Sequence, residues 1–166
     1  RWTPGGKLAL LVVVATIPAI AGGAALHAAL PDGIRSAEII AWTTIVFGIA
    51  LYAADRLCLQ VRKLDHLGWG DAVIVGLAQA LALIPGTSRS GITMTAGRMI
   101  GMERAEAARF SMLLSIPVIL GAGTLAGLDL VEAGDATLTS DAILAAGLAF
   151  AAALRRYLPE VRVGDL

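Results

Sequence analysis

The sequence predicts an all-α, polytopic membrane protein with a re-entrant helical hairpin. Of its 166 residues, 57% are hydrophobic and 16% are charged, whereas soluble domains carry roughly 25% charged residues. The charged residues cluster between apolar stretches, as expected because a charge at the bilayer centre costs about 2.5 to 3.5 kcal/mol on insertion scales. We therefore predict a single membrane domain over residues 1–166, with the membrane as its surroundings and no nucleic acid as a partner.

Four apolar runs account for the predicted membrane spans. A run of about 20 residues crosses roughly 30 Å of hydrocarbon at about 1.5 Å per residue. Pro18 is tolerable inside the first run because neighbouring helices can satisfy the freed carbonyl, and Gly22 with Gly23 permits close helix approach. The last run is short for a span unless Tyr157 and Leu158 extend it. The predicted spans are residues 8–30, 39–54, 110–128 and 142–158.

The apolar region 72–97 is interrupted near its middle by the sequence PGTSRSG at Pro85–Gly91. Basic residues cluster on both sides of this region, at Arg56, Arg62 and Lys63 before it and at Arg98, Arg104 and Arg109 after it, whereas the segment 129–141 is acidic. The positive-inside rule places both basic loops in the cytoplasm. The region between them then enters and leaves on one face, which predicts a re-entrant hairpin whose turn reaches mid-membrane.

The turn of this hairpin combines groups that bind phosphate. Two glycines flank three hydroxyls and a guanidinium, and a helix N-terminus follows. Arg89 offers a planar fork suited to two phosphate oxygens, although the segment lacks the lysine of a nucleotide P-loop. The candidate residues of this anion site are Gly86, Thr87, Ser88, Arg89, Ser90, Gly91 and Thr93, with Gln79 on the entering arm.

Each of these residues also has a purely structural interpretation. An intramembrane arginine can pair with backbone carbonyls, and serine, threonine or glutamine can serve as hydrogen-bonding links between helices. For Gln79 the sequence alone favours such a link over a ligand contact. Arg98, Arg104 and Arg109 are expected to be interfacial anchors, with Arg98 able to reach a lipid headgroup. The apolar segments contain no carboxylate for a general base or metal ligand, so no metal-ligating residue is predicted. His27 at a helix end and His66 in a polar loop are poor catalytic candidates.

The fifty residues from GLAQALALIPGTSRSGITMTAGRMIG through MERAEAARFSMLLSIPVILGAGTL resemble the second signature region of the bacterial undecaprenyl-diphosphatase family, also called bacitracin-resistance proteins. The resemblance implies a multi-pass enzyme of the bacterial inner membrane that hydrolyses undecaprenyl diphosphate to undecaprenyl phosphate. This reaction recycles the carrier lipid for cell-wall synthesis and gives bacitracin resistance. It also implies a fold of two inverted repeats, each with a re-entrant hairpin.

The resemblance also assigns roles to individual residues. Arg89 matches the family's diphosphate-binding arginine, with Ser88, Ser90 and Thr93 in the same pocket; we rank the serines as binding residues first and nucleophiles second. The family's first signature, Glu-x-x-x-Glu with a serine-rich turn ending in Gly-His, has no match here, and its last helix also has none. A Mg²⁺ or Ca²⁺ ion is implied, with ligands outside this chain. Independent catalysis by this chain is therefore not expected.

Two other functions remain open from the sequence. Broken helices that present their ends to an anionic substrate are also used by secondary transporters, so a polyprenyl-phosphate transporter or flippase is the strongest alternative. A non-catalytic membrane subunit is the other. The expected ligand is a polyprenyl diphosphate lipid, and a homodimer is left open.

Overall fold

The computed structural model describes residues 3–29, 36–134 and 136–164, and these residues form helices without a named β-strand. Two short 3₁₀ turns, at Leu64–His66 and Leu81–Leu83, lie near the two ends of helix α3. The six α-helices are α1 (Pro4–Ala29), α2 (Ala37–Leu57), α3 (Trp69–Ala80), α4 (Arg89–Met99), α5 (Arg104–Ala133) and α6 (Ala136–Gly164).

The predicted all-α membrane fold is confirmed. Four of the described helices are long and apolar enough to cross a membrane, and their candidate spans are Gly5–Leu26, Ala37–Leu57, Arg104–Glu132 and Thr137–Arg156. Many of their large apolar side chains are exposed, which suits helices whose solvent is lipid. The predicted end of the first span at residue 30 and the side chains of His27, Tyr157 and Leu158 lie outside the described part.

The third and fourth long helices extend further than the sequence indicated. Helix α5 continues through Asp129 and Glu132, and α6 already includes Asp141, so the predicted acidic loop 129–141 is wrong over most of its length. The carboxylates of Asp129, Glu132 and Asp141 can sit at helix ends in the polar interface without breaking either helix. The fourth candidate span therefore has 20 residues and is not short.

The chain divides into two compact units, residues 1–120 and 121–166. The second unit contains the end of α5 and helix α6, whose side chains from 137 to 156 are mostly exposed. The first unit contains α1 to α4 and the start of α5, and it holds all of the candidate site. Its buried apolar core includes Leu11, Ala15, Leu67, Val75, Met102, Phe110 and Leu114.

Small residues allow α1 to approach the hairpin closely. A Cβ added to Gly76 of α3 would lie 2.5 Å from the carbonyl oxygen of Ala15 in α1, and one added to Gly22 would lie 3.0 Å from Leu83. The predicted close approach at Gly22 and Gly23 is thus confirmed. Pro18 lies inside the continuous helix α1, as expected for a proline in a packed membrane helix.

Candidate functional site

The turn between α3 and α4 is anchored to helix α2. Gly86 has a φ of +87°, a conformation that glycine adopts at little cost, and a Cβ at this position would lie 2.5 Å from the Ile40 carbonyl oxygen. The Thr43 hydroxyl donates to the Pro85 carbonyl at 2.7 Å, and the Thr44 hydroxyl donates to the Gly86 carbonyl at 3.0 Å. These two threonines therefore fix the turn and satisfy its irregular backbone.

The sequence did not single out Thr43 and Thr44. Inside an apolar run they look like ordinary helix hydroxyls, which usually bond to the preceding turn of their own helix. Each hydroxyl makes such a bond to a carbonyl four residues earlier in α2. Each also donates to a carbonyl 42 residues away in sequence. The only available signal was that two adjacent hydroxyls are unusual in a predicted span.

Ser88 and Ser90 lie at the N-terminus of α4. Ser88 is the N-cap, and its hydroxyl accepts from the Gly91 backbone N–H at 3.2 Å. The hydroxyl oxygens of Ser88 and Ser90 are 3.3 Å apart, and both residues are exposed. The serine-rich turn thus forms the expected helix start, with two accessible hydroxyls next to the positive end of the helix.

Three residues around the turn carry buried polar atoms that have no hydrogen-bond partner among the described residues. These atoms are Nη1 of Arg89, Oγ1 of Thr87 and both amide atoms of Gln79. Gln79 is 2% exposed and lies in the last turn of α3, while Arg89 is the first residue of α4. Leaving such a group unpaired costs about 1 to 3 kcal/mol. Thr87 and Arg89 are near neighbours in the turn, and Gln79 lies on the helix that leads into it.

This pattern bears on the structural interpretations of Gln79 and Arg89. A link between helices requires a partner for the glutamine amide, and a structural arginine requires carbonyls to receive its N–H groups. Within the described ranges neither the Gln79 amide nor Nη1 of Arg89 has such a partner. The geometry therefore favours ligand contacts for both residues.

Thr93 is placed differently from the other candidates. It is 3% exposed, its hydroxyl donates to the Arg89 carbonyl at 2.9 Å, and it lies 2.8 Å from the Ser111 hydroxyl of α5. These contacts join α4 to α5. Thr93 thus supports the helix that carries Arg89. Its partner Ser111 lies 18 residues away in another helix, where no sequence pattern singles it out.

The other end of the hairpin is held by a charged cluster that sequence reasoning missed. Arg98 is 1% exposed, and its Nε lies 3.1 Å from Oδ1 of Asp55. Its two terminal nitrogens donate to the Met102 carbonyl at 2.5 Å and the Asp55 carbonyl at 3.1 Å. Arg104 also donates to Asp55 through Nε at 2.9 Å. The expectation that Arg98 is an interfacial anchor reaching lipid is wrong, because the carboxylate at the end of α2 draws it inward.

The two basic loops predicted to share one membrane face are in direct contact. The Arg62 backbone N–H donates to the Gly101 carbonyl at 2.9 Å, and the Arg62 carbonyl accepts from the Glu103 N–H at 2.9 Å. The Arg62 guanidinium also binds Asp71, at 2.6 Å for the shorter of two contacts. This guanidinium lowers the pKa of the Asp71 carboxyl below its ordinary value, and Asp71 in turn raises the pKa of Arg62.

The donors at the turn do not fit a divalent cation by themselves. Mg²⁺ and Ca²⁺ prefer carboxylate and carbonyl oxygens, whereas this turn offers hydroxyls, one amide and a guanidinium. Over residues 3–29, 36–134 and 136–164 no group of three or more His, Cys, Asp or Glu side chains could hold a metal ion. We therefore derive no step through a metal from this chain.

Fold and site together define a polytopic helical membrane protein whose short helical hairpin presents an arginine and two serines at its turn. Residues 2–157 match the family model described as bacitracin resistance protein BacA. The chain belongs to this family.

Curated relatives are similar over most of this chain. It is 51% identical over 151 residues to "Undecaprenyl-diphosphatase 1" of Rhodospirillum rubrum, with 90% of this chain and 54% of the relative covered. It is 49% identical over 153 residues to "Undecaprenyl-diphosphatase" of Ruegeria pomeroyi, with 92% of this chain and 57% of that relative covered. It is 55% identical over 130 residues to "Undecaprenyl-diphosphatase" of Alteromonas mediterranea, with 78% of this chain and 49% of that relative covered. The chain thus spans about half the length of these relatives.

Proposed function

We propose that this chain supplies the diphosphate-binding hairpin of an undecaprenyl-diphosphatase. The complete enzyme would hydrolyse undecaprenyl diphosphate to undecaprenyl phosphate, recycling the carrier lipid for cell-wall synthesis and giving bacitracin resistance. The observation that carries the proposal is the set of unpartnered buried atoms on Thr87 and Arg89 in the turn and on Gln79 in the helix that leads into it. The names of the relatives supply the substrate class.

The chemistry of the turn suits a diphosphate. Arg89 can offer two parallel N–H groups to two phosphate oxygens, and the positive end of α4 adds to the attraction. Transfer of a phosphoryl group to water is catalysed mainly by positioning and by neutralising the developing negative charge. In this proposal Arg89 neutralises charge, while Gln79, Thr87, Gly86 and the backbone around Gly91 position the phosphates.

The two serines are proposed as binding residues first. Their hydroxyls are exposed and 3.3 Å apart, close enough to contact one phosphate. The Ser88 hydroxyl accepts from the Gly91 N–H and either serine can donate to the other, which leaves one hydroxyl proton of the pair for a phosphate oxygen. A nucleophilic serine would also require a base, which in this proposal comes from outside the chain, as do the ligands of any divalent cation.

The proposed setting is the bacterial inner membrane, with the hairpin re-entrant from the cytoplasmic face. The backbone hydrogen bonds between the Arg62 loop and the Gly101–Glu103 loop support this topology. These bonds hold the two ends of the hairpin next to each other, as expected when both ends lie on the same side of the membrane. The membership of this hairpin in an inverted repeat and a homodimer stay predictions.

The test uses a version extended upstream to the length of the relatives, alongside the 166-residue chain. We expect the extended protein to release phosphate from a polyprenyl diphosphate, and the 166-residue chain to bind pyrophosphate without turnover. Phosphate release by the 166-residue chain would contradict the proposal that the base and any cation ligands come from outside this chain. Counterflow of a polyprenyl phosphate without hydrolysis by the extended protein would favour the flippase, which a broken-helix hairpin also suits.

A further inference from the structure

A groove runs along the C-terminal half of α4, from Met94 to Arg98. Its volume is about 380 Å³, within the range of roughly 300 to 1,000 Å³ that small-molecule sites occupy. Gly48, Leu51, Met94 and Ala107 line its apolar part, and Asp55 and Arg104 lie at its charged part. A groove with an apolar wall and a charged end suits an amphiphile, whose apolar tail and charged head could bind to these two parts.

The charged part of the groove carries more positive than negative charge. Asp55 is shared between Arg98, which is 1% exposed, and Arg104, whose side chain is 71% exposed. Arg56 follows Asp55, is exposed, and its guanidinium carbon lies 5.5 Å from the ring centre of Tyr52, which also lines the groove. The groove thus has two guanidiniums against one carboxylate, and a third guanidinium lies beside the Tyr52 ring, so the charged part of the groove attracts anions.

The charged part of the groove also lies near the C-terminal end of the candidate span Ala37–Leu57. Tyr52 and Arg56 are near the C-terminus of α2, beside the two joined basic loops. Tyrosine and arginine at the end of a span mark the interface, and basic pockets between helices on the cytoplasmic side bind anionic headgroups. We propose that this groove binds an anionic phospholipid, with one acyl chain along its apolar wall and the phosphate between Arg56 and Arg104.

Within this site the buried Arg98 acts as a positioning residue. It holds the Asp55 carboxylate from inside the protein, so that one carboxylate serves two guanidiniums and Arg104 keeps part of its positive charge. The proposal does not depend on the diphosphatase function, because none of the residues that line the groove is a candidate residue of the Arg89 turn.

The experiment measures lipid binding to the purified 166-residue chain in detergent by native mass spectrometry. Phosphatidylglycerol and phosphatidylcholine with identical acyl chains are compared. We expect phosphatidylglycerol to bind about tenfold better or more, and inorganic phosphate at the same concentration not to displace it. Arg56→Gln should lower phosphatidylglycerol binding about fivefold, whereas Arg155→Gln, at an exposed position on α6, should leave it unchanged.

A second pair of variants tests the apolar wall. A Cβ added at Gly48 has nothing within 4 Å, so Gly48→Leu fits the helix and fills the groove. Gly147 of α6 has equally open space, which makes Gly147→Leu the matched control. We expect Gly48→Leu to abolish phosphatidylglycerol binding and the control to retain it, with equal helical content by circular dichroism.

Several results would overturn the assignment. Equal binding of the two phospholipids, or binding unaffected by Gly48→Leu, would contradict it. Displacement by a short polyprenyl phosphate that binds more tightly would make the occupant an isoprenoid. Loss of a dimer on Gly48→Leu would identify the groove as a contact between two copies. In the upstream-extended protein, lipid binding that no longer depends on residue 48 would mean that protein covers the groove.

Discussion

Replacing Arg89 separates ligand binding from structural support, because this arginine is poorly placed unless an anion is present. It is the first residue of α4, where a cation opposes the helix dipole at a cost of about 0.3 to 1 kcal/mol. Its buried Nη1 has no partner among the described residues. Arg89→Ala should therefore leave the ligand-free chain as stable as the parent or up to about 1 kcal/mol more stable. That difference raises the thermal midpoint by about 2 to 4 °C.

Pyrophosphate should reverse this order. An anion bound at one hundred times its Kd stabilises the parent chain by about 2.7 kcal/mol, and Arg89→Ala should lose most of that gain. The assay is thermal unfolding in detergent with and without pyrophosphate, and Arg155→Ala is the control for general charge. A variant that unfolds at a clearly lower temperature and keeps the full pyrophosphate shift would refute the anion-clamp role.

Activity of the upstream-extended protein gives the second measurement of the same prediction. Lysine keeps the charge of Arg89 but loses the two-pronged geometry. We expect Arg89→Lys to insert and fold normally and to lose activity at least about a hundredfold, equivalent to roughly 2.7 kcal/mol. Ser88→Ala and Thr87→Ala each remove one neutral donor, worth about 0.5 to 1.5 kcal/mol, and should do less. Near-normal turnover of Arg89→Lys would favour the structural interpretation.

Three further predictions concern topology, pH and the turn. With Cys58 replaced by serine, Lys63→Cys and Ala105→Cys should be labelled by an impermeant thiol reagent from the same side of the membrane; labelling from opposite sides would contradict re-entry. Because the pKa of Asp71 is lowered in the folded state, its stabilisation is present above the unfolded pKa and lost as pH falls through the folded pKa. Asp71→Asn should therefore flatten the acid part of a stability–pH curve, and an unchanged slope would contradict this. At position 86 the backbone has a positive φ, and an added Cβ would clash with the backbone of α2. Gly86→Ala should therefore lower the thermal midpoint and the activity together, whereas alanine at an exposed helical glycine should lower neither.

The sequence was most informative where local chemistry decides the structure. Charge-free runs predicted the four long helices because lipid excludes charges over a whole span. The hydroxyl and glycine pattern of Pro85–Gly91 predicted a turn followed by a helix start, and Ser88 is the N-cap of that helix. The prolines and small residues of α1 were also interpreted correctly, since Gly22 approaches Leu83 closely.

The sequence was least informative where partners are distant along the chain. Asp55 and Arg98 are 43 positions apart, and Arg98 in a cluster of basic residues looks like a topology signal until its partner is known. Gln79 looks like a link between helices because periodicity cannot reveal that its amide has no partner among the described residues. The acidic segment around Asp129 predicts a loop by its charge, yet helix α5 continues through it to Ala133.

Helix α2 explains how so short a hairpin holds Arg89 at a fixed depth. Thr44 contacts the turn and Asp55 contacts the far end of α4, and these residues are 11 positions apart, or about 16 Å at about 1.5 Å per residue. Helix α4 also has 11 residues, so the two attachments match its length. Thr44 is 13 residues from the end of α2, which puts the turn about 20 Å from that end. Within a membrane, irregular backbone is stable only against protein or a wet cavity. The hydroxyls of Thr43 and Thr44 supply the protein contact for this turn, while Ser88 and Ser90 remain exposed.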